Sequence, residues 1–119
     1  MLRKFRLELA RTPESPEGDA QCGYEFVAPV DPKGHFDSDV WRTNREKCVV
    51  RRFWRNADDE HGLLVHTRGG RWVFSYDQNT DDDDEPIFKL GAHLLREGEY
   101  VSITEHDGVM RPFKVVSVK

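Results

Sequence analysis

Apolar side chains recur at every second residue through most of this chain, and no stretch sustains a helical period. Phe5, Leu7 and Leu9 alternate with Arg6 and Glu8, and Tyr24, Phe26 and Ala28 alternate with Glu25 and Val27 before Pro29. Side chains point to opposite faces of a strand in turn, so this pattern is the mark of a strand buried on one side. It returns at Cys48–Arg55, Leu63–Thr67, Trp72–Tyr76, Ile87–Leu90, Tyr100–Thr104 and Phe113–Val118.

The intervals are turn chemistry. Asp31-Pro32-Lys33-Gly34 supplies one residue with fixed φ and one permissive residue, and Gly69-Gly70 and Asp107-Gly108 suit tight hairpins. Asn56–Gly62 is polar and ends in glycine. Thr12–Gln21, rich in Pro, Glu, Gly and Asp, reads as a mobile loop. Pro112 cannot donate to a ladder, so the last strand is expected to begin at an edge or a bulge. Asp37 or Ser38 can cap one helical turn leading to Trp41. The expectation is an all-β, mainly antiparallel domain spanning residues 1–119. It is a small barrel or sandwich of seven to eight short strands, with at most one short helix near residues 37–45. The run Gly98–Ile103, Asp107-Gly108 and Phe113–Val118 resembles hairpins common in small bacterial β-barrels, which implies architecture and no activity.

Charge narrows the partners. The net charge is −4, and Asp81, Asp82, Asp83, Asp84 and Glu85 form an unbroken acidic run. Setting those five of the 22 acids aside leaves 17 against 18 Lys and Arg, so the rest of the chain is close to neutral. A neutral body exerts no global pull on nucleic acid or anionic lipid, and any basic site is local. The run has no internal glycine for a calcium loop, and self-repulsion favours an extended, solvated connection. Cys22 and Cys48 form no CxxC pair, which fits a reducing compartment. With no apolar run of signal-peptide or membrane-spanning length, the cytoplasm is the expected location and no membrane contact is expected.

Motifs for catalysis are missing: no phosphate-cradling glycine loop, no dinucleotide fingerprint, no nucleophile elbow and no HExxH. Nor do His35, His61, His66, His93 and His106 show the close pairing typical of zinc ligands. No catalytic residue, metal or cofactor is assigned, and a binding role is expected rather than an enzymatic one.

One segment concentrates chemistry. Trp41, Arg42, Arg45, Arg51, Arg52, Trp54 and Arg55 lie within fifteen residues, with Phe53 among them and Glu46 the single opposing charge. Arginine and aromatic groups together can hold phosphates and bases, but guanidinium forks suit carboxylates equally well. Alternation puts Cys48, Val50, Arg52 and Trp54 on one face and Val49, Arg51, Phe53 and Arg55 on the other. If the first face points inward, Arg52 must meet a carboxylate of the protein or a bound anion, since an unpaired buried charge is too costly. Three roles follow. The leading one is a protein-interaction module, with an unknown partner or by self-association, through an exposed strand edge or between the acidic and basic segments. Nucleic-acid binding through Arg51, Arg55, Arg42 and Trp41 is an alternative that the overall charge does not favour. A small-ligand barrel, with Arg52, His66 and Tyr76 converging on an anion pocket, is the other.

Overall fold

The computed structural model describes residues 1–77, 84–88 and 95–119. Asp81–Asp83 of the acidic run, His93 and the end of the expected strand at Leu90 lie outside the described residues. Eight strands follow one another around an antiparallel barrel: β1 (Leu2–Leu9), β2 (Asp19–Pro29), β3 (Val49–Phe53), β4 (Glu60–His66), β5 (Trp72–Ser75), β6 (Glu85–Phe88), β7 (Tyr100–Thr104) and β8 (Met110–Val118). Each pairs with its successor, and β8 returns to β1 with Leu7 opposite Val115 and Leu9 opposite Phe113. Closure gives each of these strands two hydrogen-bonded neighbours.

The helix α1 (Ser38–Arg42) forms where the sequence allows one turn. Asp37 is its cap, its Oδ1 accepting from the amides of Asp39 at 3.0 Å and Val40 at 3.1 Å. A single 3-10 turn, Arg45–Lys47, leads into β3.

Three local expectations change. The expected mobile loop at Thr12–Gln21 is a hydrogen-bonded turn followed by the start of β2. Thr12 and Ser15 exchange backbone bonds of 3.0 and 3.1 Å, and Gly18 donates to Ser15 at 2.9 Å. Gly62, expected to end a turn, lies inside β4 opposite Val50. A β-carbon there would sit 2.2 Å from the Ser75 carbonyl oxygen, so only glycine lets β4 and β5 approach. Pro112 lies within β8 opposite Ser102, just past the last β1–β8 pair, where its missing N–H interrupts no ladder.

The barrel is filled. Phe5, Tyr24, Phe26, Phe74 and Phe113 are fully buried. Phe5 stacks on Phe26 with centroids 5.1 Å apart, Phe26 and Tyr24 each meet Phe74 at 5.1 and 5.0 Å, and Phe113 meets Tyr24 edge-on at 5.2 Å. Ring pairs at this spacing add to the burial of their surface. One end is closed by Phe36, Trp41 and Trp72, whose rings meet edge-on, with α1 carrying Trp41 across the opening. Trp41 Nε1 donates to the Leu64 carbonyl at 2.8 Å. Among the described residues, no helix is long and apolar enough to cross a membrane.

Candidate functional site

At the other end the inward positions turn ionic. Moving along each strand, Val50 gives way to Arg52, Phe74 to Tyr76, Ile103 to Glu105 and Phe113 to Arg111. Glu85 joins them because it pairs with inward-facing Phe74 across the β5–β6 ladder, and residues opposite one another share a face. Both carboxylates are buried, Glu85 at 0% and Glu105 at 2% relative exposure.

The contacts among these groups are dense. Arg52 Nε donates to Glu105 Oε2 at 3.1 Å, its Nη2 lies 3.0 Å from the same oxygen, and Arg111 Nη1 donates to Glu105 Oε1 at 2.7 Å. Tyr24 Oη lies 2.6 Å from Glu105 Oε2 and 3.0 Å from Glu85 Oε1, and Tyr76 Oη lies 2.5 Å from Glu85 Oε1. Glu85 Oε2 accepts from the His106 amide at 3.0 Å and meets His106 Nδ1 at 2.9 Å. Glu60 stands at the rim, 3.7 Å from His106 Nε2. The Arg52 guanidinium also lies over the Trp54 ring at 4.1 Å, a cation–π contact.

Environment shifts these groups in ways their contacts explain. Burial pushes Glu85 above the usual carboxylate range, against the bonds it accepts from Tyr76 and the His106 amide. Tyr24 and Tyr76 are held far above the ordinary phenol value, first by burial and then by the charge of Glu85. Burial disfavours charge on Arg52, but Glu105 and the other acidic neighbours outweigh it and hold the guanidinium ionised. Burial also raises both free thiols, Cys22 and Cys48, so neither is disposed to act as a thiolate.

The expected site residues separate. Arg52 and Tyr76 meet around Glu85 and Glu105, whereas His66 lies at the aromatic end, 4.5 Å from the Trp72 ring. Arg52 is already paired inside the fold, so the anion pocket expected around Arg52, His66 and Tyr76 does not assemble. Trp41 is buried, with Arg45 over its ring at 4.6 Å. Arg42 pairs with Asp39 at 3.0 Å, and Arg51 pairs with Glu25 and, at 2.8 Å, with Asp59. Arg55 grips both oxygens of Asp19 at 2.9 Å and holds that carboxyl down at about 2. Arg6 and Arg51 cover the Phe53 ring at 4.4 and 5.0 Å, which explains a buried aromatic on the outer face.

Glu85 was expected in the solvated acidic run, and the structure buries it completely. Its neighbour pairing with Phe74 is a long-range fact that no local pattern carries. Glu105 and Arg111 had a usable signal, since each continues the inward parity of its strand: Val101, Ile103, Glu105 and Arg111, Phe113, Val115. Tyr24 was read as core, which it is, but its hydroxyl also bridges the two carboxyls.

Outside the barrel, a groove of about 610 Å³ runs between the Thr12–Ser15 turn and the start of β8. Leu9, Pro13, Trp54 and Met110 line it with apolar surface, and Arg11, Arg55 and Arg111 stand along it together with Glu14 and Asp19. Val109 and Met110 are about half exposed, at 47% and 53%. Arg11 has no ion-pair partner among the described residues. Trp54 and Arg111 belong both to this groove and to the ionic end of the barrel. No group of three His, Cys, Asp or Glu among the described residues is placed to hold a metal ion. No family model, no curated protein and no solved structure matches this chain.

Proposed function

We propose that this domain is a non-enzymatic interaction module, and that the groove along Trp54 and Met110 takes an acidic, apolar segment of a partner protein. The observation that carries this reading is the contrast between a filled interior, whose arginines are paired within the fold, and an open outer groove with an apolar floor and one guanidinium, that of Arg11, with no ion-pair partner among the described residues. An aliphatic or aromatic side chain of a partner would cover Leu9, Trp54 and Met110. A carboxylate beside it would meet Arg11, which has no ion-pair partner among the described residues, whereas Arg55 and Arg111 in the same rim are already engaged by Asp19 and by Glu105 with Asp107. Such an arrangement follows the usual anatomy of a recognition site, an apolar anchor surrounded by charge-assisted hydrogen bonds.

The nucleic-acid reading has less support. Arg42, Arg51 and Arg55 already face Asp39, Glu25 with Asp59, and Asp19, and Trp41 offers no open face for a base. A phosphate would have to displace each of those carboxylates.

Two short synthetic peptides test the proposal, one with a Leu-Phe core flanked by Asp and Glu, the other with the same core flanked by Lys and Arg. In a ¹⁵N NMR titration the acidic peptide is expected to shift Arg11, Trp54 Nε1 and Met110, and Arg11→Ala is expected to weaken it several-fold. Equal shifts from both peptides, or shifts centred away from the groove, would overturn the reading. So would sedimentation showing that the chain occupies its own groove as a dimer at low salt.

A further inference from the structure

A phenol hydroxyl carries one hydrogen, and Tyr24 stands between two carboxyl groups. Its oxygen is 2.6 Å from Glu105 Oε2 and 3.0 Å from Glu85 Oε1. With both carboxyls ionised, one of those contacts would bring two oxygens together with no hydrogen between them. The hydrogen of Tyr76 does not help, because it is used on Glu85 Oε1. One more proton is needed.

The surrounding donors say where it sits. Glu105 accepts from Arg52 Nε on Oε2, with Arg52 Nη2 3.0 Å from the same oxygen, and from Arg111 on Oε1, so two guanidinium groups make it the ionised member. Among the described residues Glu85 has no guanidinium within hydrogen-bond distance; Arg52 Nε lies 3.8 Å away. Its Oε2 faces the amide and ring nitrogen of His106, which leaves Oε1 to carry a hydrogen toward Tyr24. We infer that Glu85 and Glu105 hold a single proton between them at neutral pH, seated on Glu85 Oε1 and relayed through Tyr24 to Glu105, so that this end of the barrel is a buried proton-binding site.

Every element around Glu85 contributes to that balance. Tyr24 faces it from β2, Arg52 from β3, Glu60 from the start of β4 through His106, and Tyr76 from the end of β5. Asp84 precedes it in the chain. Glu105, His106 and Asp107 follow β7, and Arg111 comes from β8. The two cations are answered by Glu105, Asp107 and Glu60: Arg111 pairs with Asp107 at 3.0 Å as well as with Glu105, and Arg52 lies 3.8 Å from Glu60. Among the described residues no arginine or lysine remains for a second buried carboxylate, and His106, 2.9 Å from Glu85, would supply a charge only when protonated. Burial acts on Glu85 in the same direction.

Release breaks the Glu85 O–H bond and delivers the proton to water past His106, whose side chain is 35% exposed. Two ionised carboxyls would then compete for Arg52 and for one hydroxyl. Because Arg52 rests on Trp54, the event is readable at that indole.

The test is carboxyl ¹³C NMR on protein labelled at glutamate, titrated from pH 3 to 10. One glutamate signal is expected to keep its protonated shift at pH 7 and to vanish in Glu85→Gln, while Trp54 Nε1 moves with it in the parent protein. Glu85→Gln carries a neutral group of the same shape, so it is expected to fold and to lose the decline in unfolding midpoint between pH 5 and pH 8. Glu105→Gln, which removes the ionised member, is expected to be the less stable of the two. Ordinary titration of every glutamate, persistence of the protonated signal in Glu85→Gln, or greater tolerance of Glu105→Gln would overturn the assignment.

Discussion

The two ends of this barrel are built from the same strands and closed by opposite means. At one end Phe5, Phe26, Phe36, Trp41 and Trp72 interlock, and the Trp41 indole N–H donates to the Leu64 carbonyl. At the other, two glutamates, two arginines and two tyrosines occupy inward positions, with the partly exposed His106 at the rim. The aromatic end is held by dispersion and water exclusion, which need close packing but no matched donors or acceptors. The ionic end depends on every donor and acceptor being answered, since a buried network is costly once one member is lost. The difference teaches where chemistry can be hidden in a filled barrel: the ladder bonds are the same, and only the inward residues of the last turn of each strand have changed.

The largest break in that comparison is expected from Glu105→Ala. It leaves Arg52 and Arg111 without their shared carboxylate in a site with little water, and loss of one partner of a buried pair costs about 3–5 kcal/mol. Chemical denaturation should show it as a large fall in midpoint. The double variant Glu105→Ala with Arg52→Met should recover part of the loss, because the stranded charge goes with it. No recovery would mean that the ionic end is held chiefly by something other than this pair.

The aromatic end should respond less and without regard to pH. Trp41→Phe keeps most of the buried ring but withdraws the indole N–H from the Leu64 carbonyl. An acceptor stranded in that way costs about 1–3 kcal/mol. Thermal unfolding at pH 5 and pH 8 should give the same loss for this variant. A loss that changed with pH would mean that the two ends are coupled through the core.

Between those two variants, how legible the molecule was in its sequence becomes concrete. Alternation placed the strands, and it placed Cys48, Val50, Arg52 and Trp54 on one face; in the barrel that face points inward, and Arg52 meets a carboxylate as a buried charge must. The same parity, carried two residues beyond Ile103 and two before Phe113, reaches Glu105 and Arg111. Glu85 was hidden by its neighbours. As the last member of an acidic run it belongs by local rules to a solvated loop, and only its register against Phe74 turns it inward. The basic segment misled in the other direction: its clustering in sequence does not survive alternation, and Arg42, Arg51, Arg52 and Arg55 each find a different carboxylate.

The pH dependence of stability separates buried from exposed acids. Glu85 is raised in the folded state, so its contribution is fully present below the unfolded value of 4.5 and is lost as pH rises from there toward its folded value. Asp19, Glu25 and Asp107 are lowered by Arg55, by Arg51 and by the Val109 amide respectively. Their contribution is present above about pH 4 and lost as pH falls, for Asp19 toward about 2. Stability is therefore expected to peak between the two limbs, near pH 4.5, each proton taken up or released on unfolding giving a slope of about 1.4 kcal/mol per pH unit. Unfolding midpoints from pH 2 to 9 measure this. A curve rising steadily to pH 7 would count against a raised Glu85.

The smallest effect is expected where the sequence made the strongest impression. Arg55→Ala removes a bidentate pair with Asp19, but half of the Arg55 side chain is in solvent. Exposed pairs contribute little to stability, and less in salt. The variant should therefore unfold close to the parent, and 0.5 M NaCl should shrink the difference further. Asp19 would at the same time return toward the ordinary carboxylate range, which carboxyl ¹³C NMR on aspartate-labelled protein can follow. A large loss of stability from Arg55→Ala, undiminished by salt, would place Arg55 with Arg52 among the residues the barrel cannot do without, and would erase the distinction between its inner and outer arginines.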